Sequence, residues 1–106
     1  MTTTTEAKAF QSFADFYPYY LSEHANRTCR RLHFVGTSLG TACLVTLLVT
    51  RDWWWFPIGL LVGYAFAWTG HFFFEKNRPA TFKRPFYSFM GDYVMYKDIW
   101  TGKIPF

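Results

Sequence analysis

The side chains best suited to chemistry in this chain are three histidines, His24, His33 and His71, and a carboxylate, Glu75. Neutral imidazole is the commonest metal ligand near physiological pH. Glu75 follows His71 by four positions, so on a helix the two share a face and can reach one point. Imidazole with carboxylate and without thiolate favours a divalent first-row ion over calcium or a structural zinc cluster, and two histidines with one carboxylate form the ligand set of non-haem iron oxygenases. Iron(II) is the ion expected, with His24, His33, His71 and Glu75 as its candidate ligands. The same histidines also read as anchors at the membrane–water boundary, and the residue types alone leave both readings open. Nucleophilic catalysis has less to work with, since Ser22 and Ser88 have no evident base with an orienting partner. Cys29 and Cys43 on one helix would lie roughly 21 Å apart and cannot pair. Two unpaired thiols suit a reducing compartment.

The elements that must position these groups are two apolar runs. Residues 34–49 carry no charge and include eight Leu, Val or Phe residues, which favour membrane insertion by roughly 2 to 5 kcal/mol before polar costs. Residues 53–74 are longer, with Trp53, Trp54 and Trp55 at one end and Phe72, Phe73 and Phe74 at the other. Only Thr50-Arg51-Asp52 separates the runs, so the helices must turn back at once as an antiparallel hairpin. Gly36 and Gly40 in the first, and Gly59 and Gly63 in the second, form small-xxx-small faces suited to close helix packing, within the hairpin or with a second copy. Counting from the tip between Arg51 and Asp52, His33 lies eighteen residues back and His71 nineteen forward, which puts both roughly 28 Å from the tip. His24 lies nine residues before His33 and needs a break to fold down towards them; Asn26, a candidate N-cap, offers one.

These features define an all-α integral membrane hairpin in a single membrane domain spanning residues 1–106, with interfacial amphipathic helices at both ends. The expected elements are an interfacial helix over 7–25, transmembrane helices over 27–50 and 53–77, and a second interfacial helix over 85–100. Phe10, Phe13, Ala14 and Tyr17 recur at helical spacing until Pro18, which should kink or restart the helix. Aromatic residues make up 24% of the chain and charged residues 17%, which is low in charge for a soluble domain. The net charge of +4 does not mark a nucleic-acid binder, because the basic residues flank the apolar runs instead of forming a stripe interleaved with aromatics. Ten of the eleven lie before the first run or after the second, and Arg51 alone sits at the tip. Both termini are therefore expected in the cytoplasm. The first residues lack the pattern of a cleaved signal peptide.

A site level with the interface suits an amphiphile whose head reaches the metal while its tail stays among Phe and Leu. Arg27, Arg30, Arg31, Lys76 and Arg78 surround that level and can hold a carboxylate, or can serve only as topology signals. One hairpin has little inward surface to enclose both a metal and an acyl chain, so a homodimer or larger assembly is expected.

Three stretches resemble the membrane-bound 2-hydroxy fatty acid dioxygenases, a family that includes the fungal enzyme of phytosphingosine breakdown and short bacterial relatives. They are Tyr20-Leu21-Ser22-Glu23-His24-Ala25-Asn26, then Asn26-Arg27-Thr28-Cys29-Arg30-Arg31-Leu32-His33-Phe34, and above all Gly70-His71-Phe72-Phe73-Phe74-Glu75-Lys76-Asn77-Arg78-Pro79-Ala80. The last is the most specific, because neither composition nor helical spacing demands it. The resemblance runs from about residue 10 to residue 106 and implies an iron(II)-dependent enzyme that uses molecular oxygen to shorten a 2-hydroxy fatty acid by one carbon. The family's histidines fall on His24, His33 and His71, which the resemblance makes catalytic. The chain departs from the fungal form in having one hairpin. The implied location is a bacterial inner membrane or, in a eukaryote, the endoplasmic reticulum. The competing function is a non-enzymatic membrane scaffold or assembly protein with interfacial histidines.

Overall fold

The computed structural model describes residues 11–106. Residues 7–10, with Lys8 and Phe10 of the expected first helix, lie outside the described residues. The described chain is all-helical, in the order α1 (Phe13–Ser22), α2 (Arg27–Thr50), α3 (Trp55–Thr69), a π-helical turn (Gly70–Glu75), a short 3-10 turn (Ala80–Phe82) and α4 (Pro85–Trp100).

α2 and α3 form the antiparallel hairpin. α2, and α3 together with its π-helical extension, are each long and apolar enough to cross a membrane. At the tip, Arg51 adopts a left-handed conformation with φ 59° and its N–H donates to the Leu47 carbonyl at 2.6 Å. An Asp52 side-chain oxygen accepts from the Trp54 N–H at 3.1 Å. One left-handed residue and one side-chain cap thus reverse the chain within a few positions.

The hairpin closes through backbone contact at the four glycines. A Cβ on Gly36 would sit 2.8 Å from the Phe66 Cβ and 3.0 Å from the Gly63 carbonyl oxygen, and one on Gly59 would meet the Cys43 Cβ at 3.0 Å. A Cβ on Gly40 would lie 3.4 Å from the Gly59 carbonyl oxygen. The small-residue faces are therefore spent within the chain and offer no such seam to a second copy, because an antiparallel partner already occupies them.

α1 and α4 build a lid over the open end of the hairpin. Phe16 and Tyr20 of α1 pack with Met95 and Ile99 of α4 in a buried cluster, ringed by Phe13, Tyr17, Phe34 and Tyr87. The Tyr17 hydroxyl donates to Asp98 at 2.8 Å, and the Tyr20 hydroxyl donates to Asp92. A Cβ on Gly91 would press into the Tyr20 ring at 2.8 Å, so the absent side chain lets the two helices meet. α4 also packs against the hairpin. Its Tyr96 and Tyr93 hydroxyls bond Ser38 and Thr41 of α2, each at 2.8 Å, and α4 runs antiparallel along the first part of α2.

Pro18 does not end the first helix, which continues through it to Ser22. The carbonyl it leaves without a donor belongs to Ala14, and both residues are exposed, so that oxygen can turn to solvent or headgroups. The Ser12 side chain accepts from the Asp15 N–H at 3.2 Å and starts the helix.

The glycine seam makes a graded prediction. Gly36→Ala should lower the thermal stability of the detergent-solubilised protein by about 1 to 3 kcal/mol through overpacking. Gly63→Ala should leave it unchanged or slightly raised, since its added carbon meets nothing closer than 3.7 Å. Thermal unfolding followed by circular dichroism checks both, and equal losses would refute the seam as described.

Candidate metal centre

Three local features bring the histidines to one point. α1 stops at Ser22 and the chain turns through Glu23 to Asn26, whose side-chain oxygen accepts from the Cys29 N–H at 3.1 Å and starts α2. That break lays His24 against His33, one helical turn beyond Cys29. On the other strand of the hairpin α3 widens into the π-helical turn at Gly70, where a Cβ would sit 2.9 Å from the Cys29 Sγ. The missing side chain lets His71 approach α2, and such π segments recur at functional sites.

All three imidazoles are buried, with 1% of His24, 4% of His33 and 2% of His71 exposed. The His24 Nε2 lies 3.1 Å from the Nε2 of His33 and 3.0 Å from that of His71. Each Nδ1, in contrast, faces outward to a fixed acceptor. His24 Nδ1 meets the Tyr20 carbonyl at 2.6 Å, His33 Nδ1 the Cys29 carbonyl at 3.0 Å, and His71 Nδ1 the Asn77 Oδ1 at 2.7 Å. A carbonyl oxygen accepts only, so in the neutral ring each Nδ1 carries the hydrogen and donates it. Each Nε2 then presents a bare lone pair to the common centre. Burial, followed by the neighbouring imidazoles of His33 and His71, holds His24 well below the ordinary histidine range and keeps it neutral.

Asn77 was not singled out by the sequence, yet it grips His71 twice. Its Oδ1 takes the imidazole hydrogen, and its backbone N–H donates to the His71 carbonyl at 3.0 Å. Its Nδ2 donates in turn to the Glu23 carbonyl at 3.2 Å, tying the end of the π turn to the loop that carries His24. The left-handed Lys76, with φ 59°, makes the bend that turns Asn77 back. Tyr20 was also overlooked. Its ring stacks on His24 with centroids 4.0 Å apart, its carbonyl orients the same imidazole, and its hydroxyl engages Asp92. Asn77 lies within the resembling string, but nothing in its residue type distinguishes a second-tier acceptor from a turn asparagine.

Glu75 is not part of the histidine cluster. Its carboxylate accepts from the backbone N–H of Asn26 at 2.5 Å and locks the α1–α2 turn to the end of the π helix. The positions expected to surround the head of a substrate divide in the same way. Arg30 donates to the carbonyls of His24 at 3.2 Å and Ala25 at 2.9 Å, bracing the His24 turn. Arg31 donates to the Phe106 carbonyl at 3.2 Å and lies over its ring. Arg27, Lys76 and Arg78 are exposed. Among the described residues, no other group of three His, Cys, Asp or Glu side chains converges in this way.

A helical hairpin with two spans of membrane-crossing length, closed at one end by a buried trio of imidazoles, defines a class of small histidine-centred membrane-type proteins. The comparison with known families is more specific. The chain belongs to the 2-hydroxy-palmitic acid dioxygenase Mpo1-like family, whose model matches residues 10–104. No curated protein and no solved structure matches it.

Asp92 provides a test of the electrostatics beside the site. Loss of water around this carboxyl outweighs the hydrogen bond from Tyr20 and pushes its pKa up to about 7. The folded chain then keeps a proton that the unfolded chain loses above the ordinary aspartate value near ~3.9. The associated stability is present at low pH and is lost as the pH rises to about 7. Asp92→Asn removes the titration, so its melting temperature should gain on that of the natural sequence across this window. Parallel melting curves from acid to neutral pH would contradict the assignment.

Proposed function

We propose that the protein is an iron(II)-dependent membrane dioxygenase acting on 2-hydroxy fatty acids, with His24, His33 and His71 as the metal ligands. The family description names a dioxygenase of 2-hydroxy-palmitic acid, which sets the reaction and substrate class. The observation that carries the metal is the arrangement of hydrogen-bond roles: three Nδ1–H groups donate outward and three Nε2 lone pairs meet at 3.0 and 3.1 Å with no hydrogen between them. Three converging lone pairs repel unless a cation stands among them, and metal-bound histidines characteristically donate their other ring N–H to a carbonyl or carboxylate. For His24 with either partner the spacing also fits, since two nitrogens each about 2.1 Å from one ion and near a right angle stand about 3.0 Å apart, and all three nitrogens lie within 4.8 Å of one another.

Bound there, iron(II) would supply the chemistry that the side chains lack, the joining of dioxygen to a carbon substrate. The chain's own residues do the remaining work. Tyr20, Cys29 and Asn77 fix the tautomer and tilt of each ring through their acceptors, so the three nitrogens are aimed before anything binds. Arg30 and Glu75 hold the backbone turn that carries His24. Burial under α1 and α4 excludes water from the imidazoles. Arg27, Lys76 and Arg78 are the cations left for a substrate carboxylate, and the first and last flank the histidine loops. The apolar windows of α2 and α3 are only 17% buried, unlike core helices of a soluble protein, which supports a place within a bilayer. The long axis of 48 Å exceeds the hydrocarbon core of about 30 Å, leaving the lid at headgroup level.

Three predictions test this reading. Replacing any one histidine with Ala leaves two imidazoles, so His24→Ala, His33→Ala and His71→Ala should each abolish most iron binding while circular dichroism still shows the helical fold. Full occupancy in any of them would remove that residue from the site. Natural protein loaded anaerobically with iron and then given oxygen should convert a 2-hydroxy fatty acid to the acid one carbon shorter, as read by lipid mass spectrometry. For the supporting tier, Asn77→Leu should weaken iron binding by about 10- to 100-fold. Asn77→Asp, which keeps an acceptor for the His71 Nδ1–H, should weaken it less. Equal losses in the two would separate Asn77 from the orientation of His71.

A further inference from the structure

The seam of the hairpin is also the floor of a groove. Because the facing positions are glycines, no side chains fill the trough between α2 and α3, and an apolar cleft of about 130 Å³ remains along it. His33 and Asp92 line it, and the lining residues nearest the hairpin tip are Leu44, Trp55 and Phe56. Polar groups thus stand at the metal end and bulky apolar ones at the other. From His33 to Leu44 on α2 is eleven residues, as is the distance from Ala67 to Phe56 on α3, so the groove runs about 16 Å. A bilayer's hydrocarbon core of about 30 Å is two acyl tails deep, so one tail reaches about 15 Å.

We infer that a single unbranched acyl tail lies along this groove, one side in the trough and the other open to the bilayer, with its head at the histidine trio, and that Leu44, Trp55 and Phe56 set the longest tail the site accepts. The inference rests on the dioxygenase reading for what stands at the head and adds the specificity element. The match in length, the polar-to-apolar gradient and the direct continuity with His33 favour a tail over a helix of a second copy. A helix is about 10 Å across with its side chains, and the glycine floor is already closed by backbone contact.

The natural protein and three variants, loaded with iron and kept anaerobic so that nothing turns over, would be offered a homologous series of saturated 2-hydroxy fatty acids. Affinity would be read by displacement of a fluorescent fatty acid. Leu44→Trp should weaken binding of the longest members by at least about tenfold while leaving the shortest within about twofold. Thr37→Trp, in the groove nearer the metal end, should move the cut-off to still shorter acids. Leu61→Trp, exposed on α3 and outside the groove, should leave the profile unchanged. Leu44→Phe, a smaller enlargement, serves if the tryptophan variant does not fold. The same length profile in Leu44→Trp and Leu61→Trp would overturn the inference, as would a change in oligomeric mass without any grading by length. Length-graded binding in a protein that forms no shortened acid under oxygen would uphold the groove and remove the dioxygenase reading. Shortened acid without length grading would do the reverse.

Discussion

The histidine trio depends on three hydrogen bonds that point away from the site. Each imidazole hands its Nδ1 hydrogen to an acceptor fixed elsewhere: two backbone carbonyls one turn back and one asparagine amide. Had any Nδ1 lacked such an acceptor, its ring would be free to place the hydrogen on Nε2 and donate to its neighbour, and the trio would be an ordinary hydrogen-bonded cluster. With all three committed outward, the three buried Nε2 lone pairs have no donor among one another, and an unpartnered buried polar atom is costly. This constraint explains why so much of the surrounding sequence is occupied with backbone: Arg30 with two carbonyls, Glu75 with an N–H, and Asn77 with a carbonyl of the His24 loop.

The hairpin sets the distance between the helices that carry His33 and His71. Four glycines bring α2 and α3 into backbone contact over the membrane-length portion, and Gly70 continues the approach to the level of the histidines. The seam that brings the imidazoles within reach also leaves the trough that runs from them towards the tip. A site and a groove thus arise from one packing device, and a larger residue at Gly36 or Gly70 would disturb both.

The lid converts aromatic richness into structure. The Phe16, Tyr20, Met95 and Ile99 cluster seals the open end of the hairpin, and tyrosine hydroxyls reaching Asp98, Asp92, Ser38 and Thr41 fix its orientation. Tyr20 contributes to packing, to the orientation of His24 and to the placement of Asp92 at the histidine end of the groove. Tyrosine suits such a position because its ring is apolar and its hydroxyl still needs a partner when buried.

Much of this was legible in the residues because it follows from local chemistry. Two uncharged apolar runs with three residues between them can only form a hairpin, equal spacing from the tip places His33 and His71 at one level, and Asn26 marks the break that frees His24. The string from Gly70 to Ala80 pointed to the family that the match over residues 10–104 establishes. Other features required the folded chain. An α-helical register puts Glu75 beside His71, whereas the bond its carboxylate accepts from the Asn26 N–H, reaching across the turn, has no signature in spacing. Arg30 and Arg31 look like free cations until their carbonyl partners, one of them at the chain's last residue, are in place. Asn77 and Tyr20 acquire their roles only when a left-handed Lys76 turns one back and the lid lays the other over His24. Sequence determines what each segment can be because hydrophobicity, spacing and capping act over a few residues; which polar atom finds which partner is decided by tertiary structure, because it depends on contacts between segments far apart in the chain.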